Sequence, residues 1–326
     1  MRKLRILSIL DEFTYTSLKF EQAIEIITKK PIWYRKSNKI DFILVESAWR
    51  GNNDQWRYKI ATYPNHSDRN NHKIIQLISW AKEHHIPTVF WNKEDPYHYD
   101  QFIDSAKLFD HIFTTDDLSL ERYKKDALHS KVHVLPFFIQ TNIHKPELTS
   151  VRNRSLFIGS YHSIEHPERR IWQNKIFPQA AQYGLTILNR HSKCQIIEQK
   201  FPIYPGDVEY LPAVPYNQTH HIYNQFSHCL NVNSITNSNT MFSRRLIEIM
   251  ACGKLAISNP SKSISNLFKE MCICLDDEND ANEILQQLSR GYTSKQKEMC
   301  QYAQQHVHQN YNVERWIDRI LKEINI

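Results

Sequence analysis

The residues best equipped for chemistry stand where short apolar runs break into polar ones. Leu230-Asn231-Val232-Asn233-Ser234 reads as a buried strand entering a loop rich in hydroxyls and amides. It is followed by Ser238-Asn239-Thr240-Met241-Phe242-Ser243-Arg244-Arg245-Leu246-Ile247-Glu248, the start of a helix that opens near Ser243 and closes at Gly253. The first turn of such a helix offers free N–H groups and a positive dipole end, and Arg244 and Arg245 add charge beside them, so a diphosphate would be well held there. Glu248 lies one turn after Arg244, where it either accepts hydrogen bonds from ribose hydroxyls or makes an i,i+4 pair with that arginine. A capped core helix with a salt bridge would show the same residues, but two adjacent arginines at a helix start are a poor structural choice.

A second group of candidates is acidic. Thr88-Val89-Phe90-Trp91-Asn92-Lys93-Glu94-Asp95-Pro96 ends a strand in a lysine, two carboxylates and a proline. Ligands of open parallel sheets bind at the carboxyl ends of strands, so Glu94 or Asp95 is placed to serve as general base or to orient a sugar, or else to cap the next helix. Glu46, in the run Asp41 to Gly51, and Asp11, after Ile9-Leu10, repeat the pattern. Carboxylates at three strand ends would repel one another unless they served a polyhydroxylated ligand, and a sugar acceptor satisfies that need. Trp49, Trp56 and Trp91 offer stacking faces for sugar rings, although core packing is the commoner fate of tryptophan. A further strand, Ser155 to Ile158, runs into Gly159-Ser160-Tyr161, where the glycine permits a tight turn and close approach of a ligand to the backbone; Arg169 and Arg170 follow.

These residues need strands and helices to position them, and the hydrophobic pattern supplies both. Leu4 to Leu10, Phe42 to Val45, Thr88 to Trp91, His111 to Thr114 and Val132 to Phe137 read as strands of a first half. Ile74, Ile75, Leu77, Ile78 and Ala81 mark one face of a helix running to about His84. The polar stretch His144 to Arg154 is the expected linker, after which strands recur at Ser155 to Ile158, Leu185 to Leu188, His228 to Val232 and Leu255 to Ser258. Val313, Trp316, Ile317, Ile320 and Leu321 predict a terminal amphipathic helix within Tyr311 to Ile326. The fold class is therefore α/β, with one domain over 1–148 joined by the helix at 311–326 and a second over 149–310.

Composition narrows the function classes. A chain of 326 residues fits two domains, and 41 % hydrophobic with 23 % charged residues fits a globular enzyme. The six glycines are too far apart for a P-loop or a G-x-G-x-x-G fingerprint, which argues against a kinase or a nicotinamide dehydrogenase. A net charge of +6 without a Lys/Arg run suits phosphate-bearing small ligands or an anionic acceptor and gives no reason to expect nucleic acid. No apolar stretch is long enough to span a bilayer, so a cytoplasmic protein, soluble or at most peripheral at the inner face of the membrane, is expected. The six cysteines, Cys194 among them, are expected to be reduced thiols rather than zinc ligands. His220-His221 and the other histidines match no metal-ligand spacing, and no metal is expected.

At Glu46 to Asn52, Phe90 to Pro96, Phe113 to Asp116, Phe157 to Tyr161, His166 to Arg170, Leu230 to Ser234 and Thr240 to Gly253, the chain resembles the CgeB-like bacterial glycosyltransferases of the GT-B superfamily. The resemblance implies two Rossmann-like domains facing a cleft, with the last helix crossing back to the first domain. It implies a donor side made by Gly159, Ser160, Tyr161, Asn233, Ser234, Ser238, Thr240, Met241, Ser243, Arg244, Arg245 and Glu248. Glu46, Trp49, Lys93, Glu94 and Asp95 would line the acceptor side, to which the strand-end reading adds Asp11, and no metal or cofactor beyond an activated sugar donor would be required. The chain departs from the family at Val208-Glu209-Tyr210-Leu211-Pro212, which lacks the glycine of a Gly-Leu-Pro-Tyr-like run, so base recognition does not carry over.

The implied activity is transfer of a sugar from a nucleotide-activated donor to a cell-surface glycan, polyol-phosphate or metabolite acceptor. Two alternatives stay open: a transferase using phosphoribosyl diphosphate, and a non-catalytic binding or coat-assembly protein that keeps the fold.

Overall fold

The computed structural model describes residues 2–36, 39–161, 164–190 and 200–326. The chain forms two compact units: Met1–Gln140 with Asn239–Met241 and Val313–Ile326, and Thr141–Ser238 with Phe242–Asn312.

The first unit contains strands β1 (Leu4–Ile9), β2 (Ile24–Thr28), β3 (Phe42–Glu46), β4 (Thr88–Asn92), β5 (His111–Thr114) and β6 (Lys131–Val134). They form one parallel sheet in the order β2-β1-β3-β4-β5-β6. Helices α1 (Glu12–Lys19), α2 (His72–Glu83), α3 (Tyr99–Ala106) and α4 (Leu120–Asp126) fill the connections. Every residue of β3 and β4 is buried, as expected of strands covered on both faces. The sequence signal for β2 is weak because it is an edge strand: it is only partly buried, and its alternating Ile24-Glu25-Ile26 gives no continuous apolar run. The expected strand to Phe137 stops at Val134: beyond it the Leu135 N–H still donates to the Thr114 carbonyl at 2.8 Å, and Leu135, Phe137 and Phe138 are buried outside the strand.

The second unit contains β7 (Arg152–Gly159), β8 (Leu185–Asn189), β9 (Val208–Leu211), β10 (Phe226–Asn231), β11 (Leu255–Ser258) and β12 (Ile273–Cys274). Their order is β12-β11-β10-β7-β8-β9, again all parallel, which is the 3-2-1-4-5-6 arrangement of a dinucleotide-binding sheet read in its own numbering. The helices are α5 (Pro167–Gln182), α6 (Thr219–Asn224), α7 (Arg244–Ala251), α8 (Lys262–Leu267), α9 (Glu278–Ser289) and α10 (Ser294–Asn310). Ile143 and His144 are buried, residues 145–151 run without helix or strand and are mostly exposed, and β7 begins at Arg152.

The terminal helix α11 (Val313–Ile324) is part of the first unit. Its spacing buries Val313, Trp316, Ile317, Ile320 and Ile324, and the Trp316 ring lies 5.0 Å from Trp91 and 4.6 Å from Phe138. Among the described residues the cysteines are free thiols, and Cys194 lies outside them.

Each sheet changes direction of growth once, between β1 and β3 in the first unit and between β7 and β10 in the second. The carboxyl ends of strands at such a switch point are where open α/β sheets leave room for a ligand. Asp11 follows β1 and Glu46 ends β3; Gly159 ends β7 and Asn233 follows β10.

Candidate active site

In the first unit the strand ends converge on Lys93. Its ammonium lies 3.3 Å from Asp11 Oδ2 and 3.1 Å from Glu94 Oε1, and its backbone N–H donates to Ser47 Oγ at 3.0 Å. Glu46 is buried behind it, accepting from the Asp11 N–H at 2.5 Å and from Thr14 Oγ1 at 2.6 Å. Burial pushes the Glu46 carboxyl up to about 7 against the opposing pull of Lys93, with the Asp11 charge adding to the rise. Burial alone would lower Lys93, but Glu94, Glu46 and Asp11 outweigh it and hold the ammonium charged. The other oxygen of Asp11 accepts from the Gly51 N–H at 3.1 Å. Gly51 has φ +65°, and a Cβ there would come within 2.7 Å of Trp56 Cβ, so this turn requires glycine.

Asp11 and Glu94 are the carboxylates of this group with solvent access, at 20 % and 25 % side-chain exposure. Asp95 does not join them. It is buried, with Oδ1 accepting from Asn92 Nδ2 at 2.7 Å and Oδ2 accepting from Thr114 Oγ1 at 2.6 Å and Tyr123 Oη at 2.9 Å. Burial raises it to about 7 despite the Thr114 and Tyr123 hydrogen bonds, with Asp116 adding to the rise. The geometry makes Asp95 a tie between β4, β5 and α4. The tryptophans likewise differ from the stacking expectation: Trp56 and Trp91 are fully buried, with their ring N–H groups on the Lys29 and Leu135 carbonyls. Trp49 is half-buried edge-on against Tyr63, His98 and Phe102. Ser47, Thr14 and Gly51 carried no signal in the sequence, because their roles depend on a strand-to-strand register.

In the second unit the strand ends converge on arginines. Gly159 closes β7, and a Cβ on it would lie 2.8 Å from Arg245 Nη2 and 2.7 Å from the Phe157 ring, so the absent side chain is what admits the Arg245 guanidinium. That guanidinium sits 4.7 Å over Phe157. Arg169 donates to the Ser160 carbonyl at 2.6 Å, and the Arg190 N–H donates to the Gly159 carbonyl at 3.0 Å. Loss of water around them, followed by the charges of their arginine neighbours, lowers Arg169, where Arg245 and Arg190 contribute, and Arg190, where Arg244 and Arg245 contribute. A guanidinium gives up its proton only with great difficulty, so the group keeps its positive charge. Arg169 Nε and Arg245 Nη1 are buried with no acceptor.

One carboxylate stands among these arginines. Glu248 Oε1 accepts from Tyr216 Oη at 2.8 Å and pairs with Arg244 Nε at 3.0 Å, while Tyr223 Oη lies 3.4 Å from Oε2. Burial would raise Glu248, but Arg244, His144, the Tyr216 hydrogen bond and Arg245 outweigh it and keep it ionised. The i,i+4 pair with Arg244 is therefore present. Ser243 precedes α7 as its N-cap residue but makes no side-chain cap, and the Ser243 N–H donates to Asn233 Oδ1 at 2.7 Å. Asn233 exchanges two further hydrogen bonds with Asn259, at 2.8 and 3.0 Å, which fixes the loop after β10.

The remaining candidates divide. Tyr161 is buried, with Oη donating to Asn174 Oδ1 at 3.2 Å; Ser160 contributes its carbonyl; Ser238 is buried, and Ser234 is half-buried. Thr240 and Met241 belong to the first unit, where the Thr240 hydroxyl donates to the Thr115 carbonyl at 2.9 Å and accepts from the Asp117 N–H at 2.9 Å. The Thr240 hydroxyl is thus engaged by backbone rather than presented to a phosphate. Arg190 was missed by motif reading, since a lone arginine after Asn189 stands out only once β8 is known to lie beside β7.

Residues 169–322 match the family described as glycosyl transferase-like. Comparison with curated proteins finds no match. Among solved structures the chain is similar to an alpha-glucosyltransferase in complex with UDP and a 13-mer DNA containing a HMU base, with TM-score 0.64 and 10 % identity over 99 % of this chain and 100 % of that one. It is similar to HepE of Anabaena in complex with UDP-glucose, with TM-score 0.58 and 13 % identity over 98 % and 91 % of the two chains. A glycosyltransferase from Rickettsia africae gives TM-score 0.57 and 9 % identity over 99 % and 98 %. At such identities the likeness speaks for the fold. The two parallel six-stranded sheets with flanking helices are those of the GT-B fold, and the match to the glycosyl transferase-like family, over residues 169–322, spans Arg169, Arg190, Arg244 and Arg245.

Proposed function

We propose that the second unit holds the diphosphate of a nucleotide-sugar donor, of which a UDP-sugar is the first candidate, and that the sugar passes to a neutral hydroxyl acceptor recognised through the first unit. The observation that carries this reading is the crowding of Arg169, Arg190, Arg244 and Arg245 at the ends of β7 and β8 and the start of α7, with Glu248 the carboxylate among them. A leaving diphosphate gains negative charge as the glycosidic bond breaks, and guanidiniums fixed in advance stabilise that charge without reorganising. This is work that a divalent cation does in other transferases, so the reaction is proposed to be metal-independent. The UDP and UDP-glucose complexes of the structural neighbours motivate the choice of base.

On the first unit, Asp11 and Glu94 are proposed to accept the hydrogen bond of the acceptor hydroxyl, with Glu46 and Lys93 holding them in place. The lysine is already shared by carboxylates, so among the described residues this cluster offers no spare cation to a phosphorylated acceptor. A glycan or metabolite hydroxyl therefore fits better than a polyol-phosphate. The finer resemblance to the CgeB-like group supports the same division of roles, since the segments that carry it include both clusters.

The test is a thermal-shift screen of the full chain against UDP-, GDP-, CDP- and dTDP-sugars, the free nucleotides and phosphoribosyl diphosphate, because a ligand of the native state raises its melting temperature. Stabilisation by UDP and a UDP-sugar is expected. Stabilisation by phosphoribosyl diphosphate alone, or by nothing in the panel, would overturn the donor assignment.

A further inference from the structure

The second unit carries a group of metal-ligating side chains that the donor site does not use. α6 brings the rings of His220 and His221 to a centroid separation of 3.9 Å. Glu147 faces both, with Oε2 2.8 Å from His221 Nδ1 and Oε1 3.4 Å from His220 Nε2. One ligand atom from each of the three lies within 4.8 Å of the others, and this is the group of its kind among the described residues.

The backbone holds the three in place. Asn224, buried at the end of α6, accepts the Glu147 N–H on Oδ1 at 3.0 Å and donates through Nδ2 to the Lys145 and His220 carbonyls, each at 3.0 Å. A single amide thus ties the segment carrying the carboxylate to the helix carrying the histidines, so the donor atoms are preorganised rather than met by chance on a mobile surface. His220 is buried, Glu147 half-buried and His221 exposed, which leaves one side open for water.

Two imidazoles and a carboxylate with an open fourth position make up a ligand set that zinc accepts, and the nitrogen donors select against magnesium and calcium. We infer that Glu147, His220 and His221 bind one divalent cation of the zinc class, with solvent completing the coordination sphere. The site is separate from the donor arginines, yet one ring from them: His144 lies 6.5 Å from the His220 ring, and its Nε2 is 3.9 Å from Glu248 Oε1. The cation would fix residues 145–147 against α6.

The experiment is calorimetric titration of the metal-free full chain with ZnCl2, repeated with MgCl2, on the wild type, Glu147→Gln and His221→Ala. His221 is exposed and Glu147 half-buried, so neither change removes a core side chain, and melting temperature without metal checks that each variant is folded. One equivalent of zinc, no magnesium, and at least a tenfold weaker zinc affinity in both variants are expected. Co2+ substitution supplies a second readout: nitrogen and oxygen ligation gives weak visible bands, whereas a strong sulfur charge-transfer band would assign the metal to a thiol such as exposed Cys274. A cobalt spectrum of that sulfur type, no saturable zinc binding, or affinity unchanged in both variants would each overturn the assignment.

Discussion

The two units solve the same topological problem with opposite charge. Both place polar residues at the carboxyl ends of strands beside a switch point of a parallel six-stranded sheet. In the first unit one lysine is surrounded by Asp11, Glu46 and Glu94; in the second, four arginines crowd one another and Glu248 pairs with one of them, Arg244. The first arrangement is nearly self-satisfied and leaves carboxylate oxygens to receive hydroxyls. The second keeps two buried guanidinium nitrogens, Arg169 Nε and Arg245 Nη1, without acceptors among the described residues, which the proposed diphosphate would supply. The fold thus supplies the location, and the charge balance of each cluster decides the kind of ligand.

The strongest way to break this comparison is to remove the arginines. Replacing Arg244 and Arg245 together by alanine should weaken UDP-sugar binding by about a thousandfold, since charge-assisted hydrogen bonds are worth about 1.5–3 kcal/mol each. Calorimetry would show it, and unchanged affinity would refute the anion site. Next in size, Glu94→Gln and Asp11→Asn should each leave donor affinity intact while lowering turnover by about a hundredfold, the scale of a lost general base. A steady-state assay that separates kcat from donor KM distinguishes this from a binding defect.

Asp95→Ala sharpens the contrast between a reactive and a structural carboxylate. It strips Asn92, Thr114 and Tyr123 of their shared acceptor and should cost about 3 kcal/mol of stability, read by denaturant unfolding, with the kcat of the folded fraction retained. Smaller still is the pH dependence of stability. Glu46 and Asp95 have folded pKa values raised to about 7, so the folded state binds protons more tightly than the unfolded chain. Their contribution is full below the ordinary carboxylate range and is lost as pH rises through about 7. Melting temperature should therefore fall from pH 5 to pH 7.5 through these groups, and Asp95→Asn should flatten that slope.

Much of this was legible in the chain itself. Parallel strands buried on both faces need continuous apolar runs, which is why Phe42 to Val45, Thr88 to Trp91 and Leu255 to Ser258 could be found from hydrophobicity alone. The heptad-like spacing of α11 and the positive-φ glycine after α7 were equally visible. The edge strands β2 and β9 were not, because a half-exposed strand has no unbroken apolar stretch; Val208 to Leu211, where a base-recognition run was sought, is such a strand.

Sequence by itself determined that carboxylates and arginines would stand after strands, since residue type and local hydrophobic pattern are properties of neighbouring positions. Only the tertiary structure separated Glu94 from Asp95, adjacent in the chain yet one open to solvent beside Lys93 and the other locked among Asn92, Thr114 and Tyr123. It also brought Arg190 to the group of Arg169, Arg244 and Arg245, and Glu147 to His220 and His221. Burial and electrostatic potential are sums over neighbours in space, and residues dozens of positions apart become neighbours only when the sheets close.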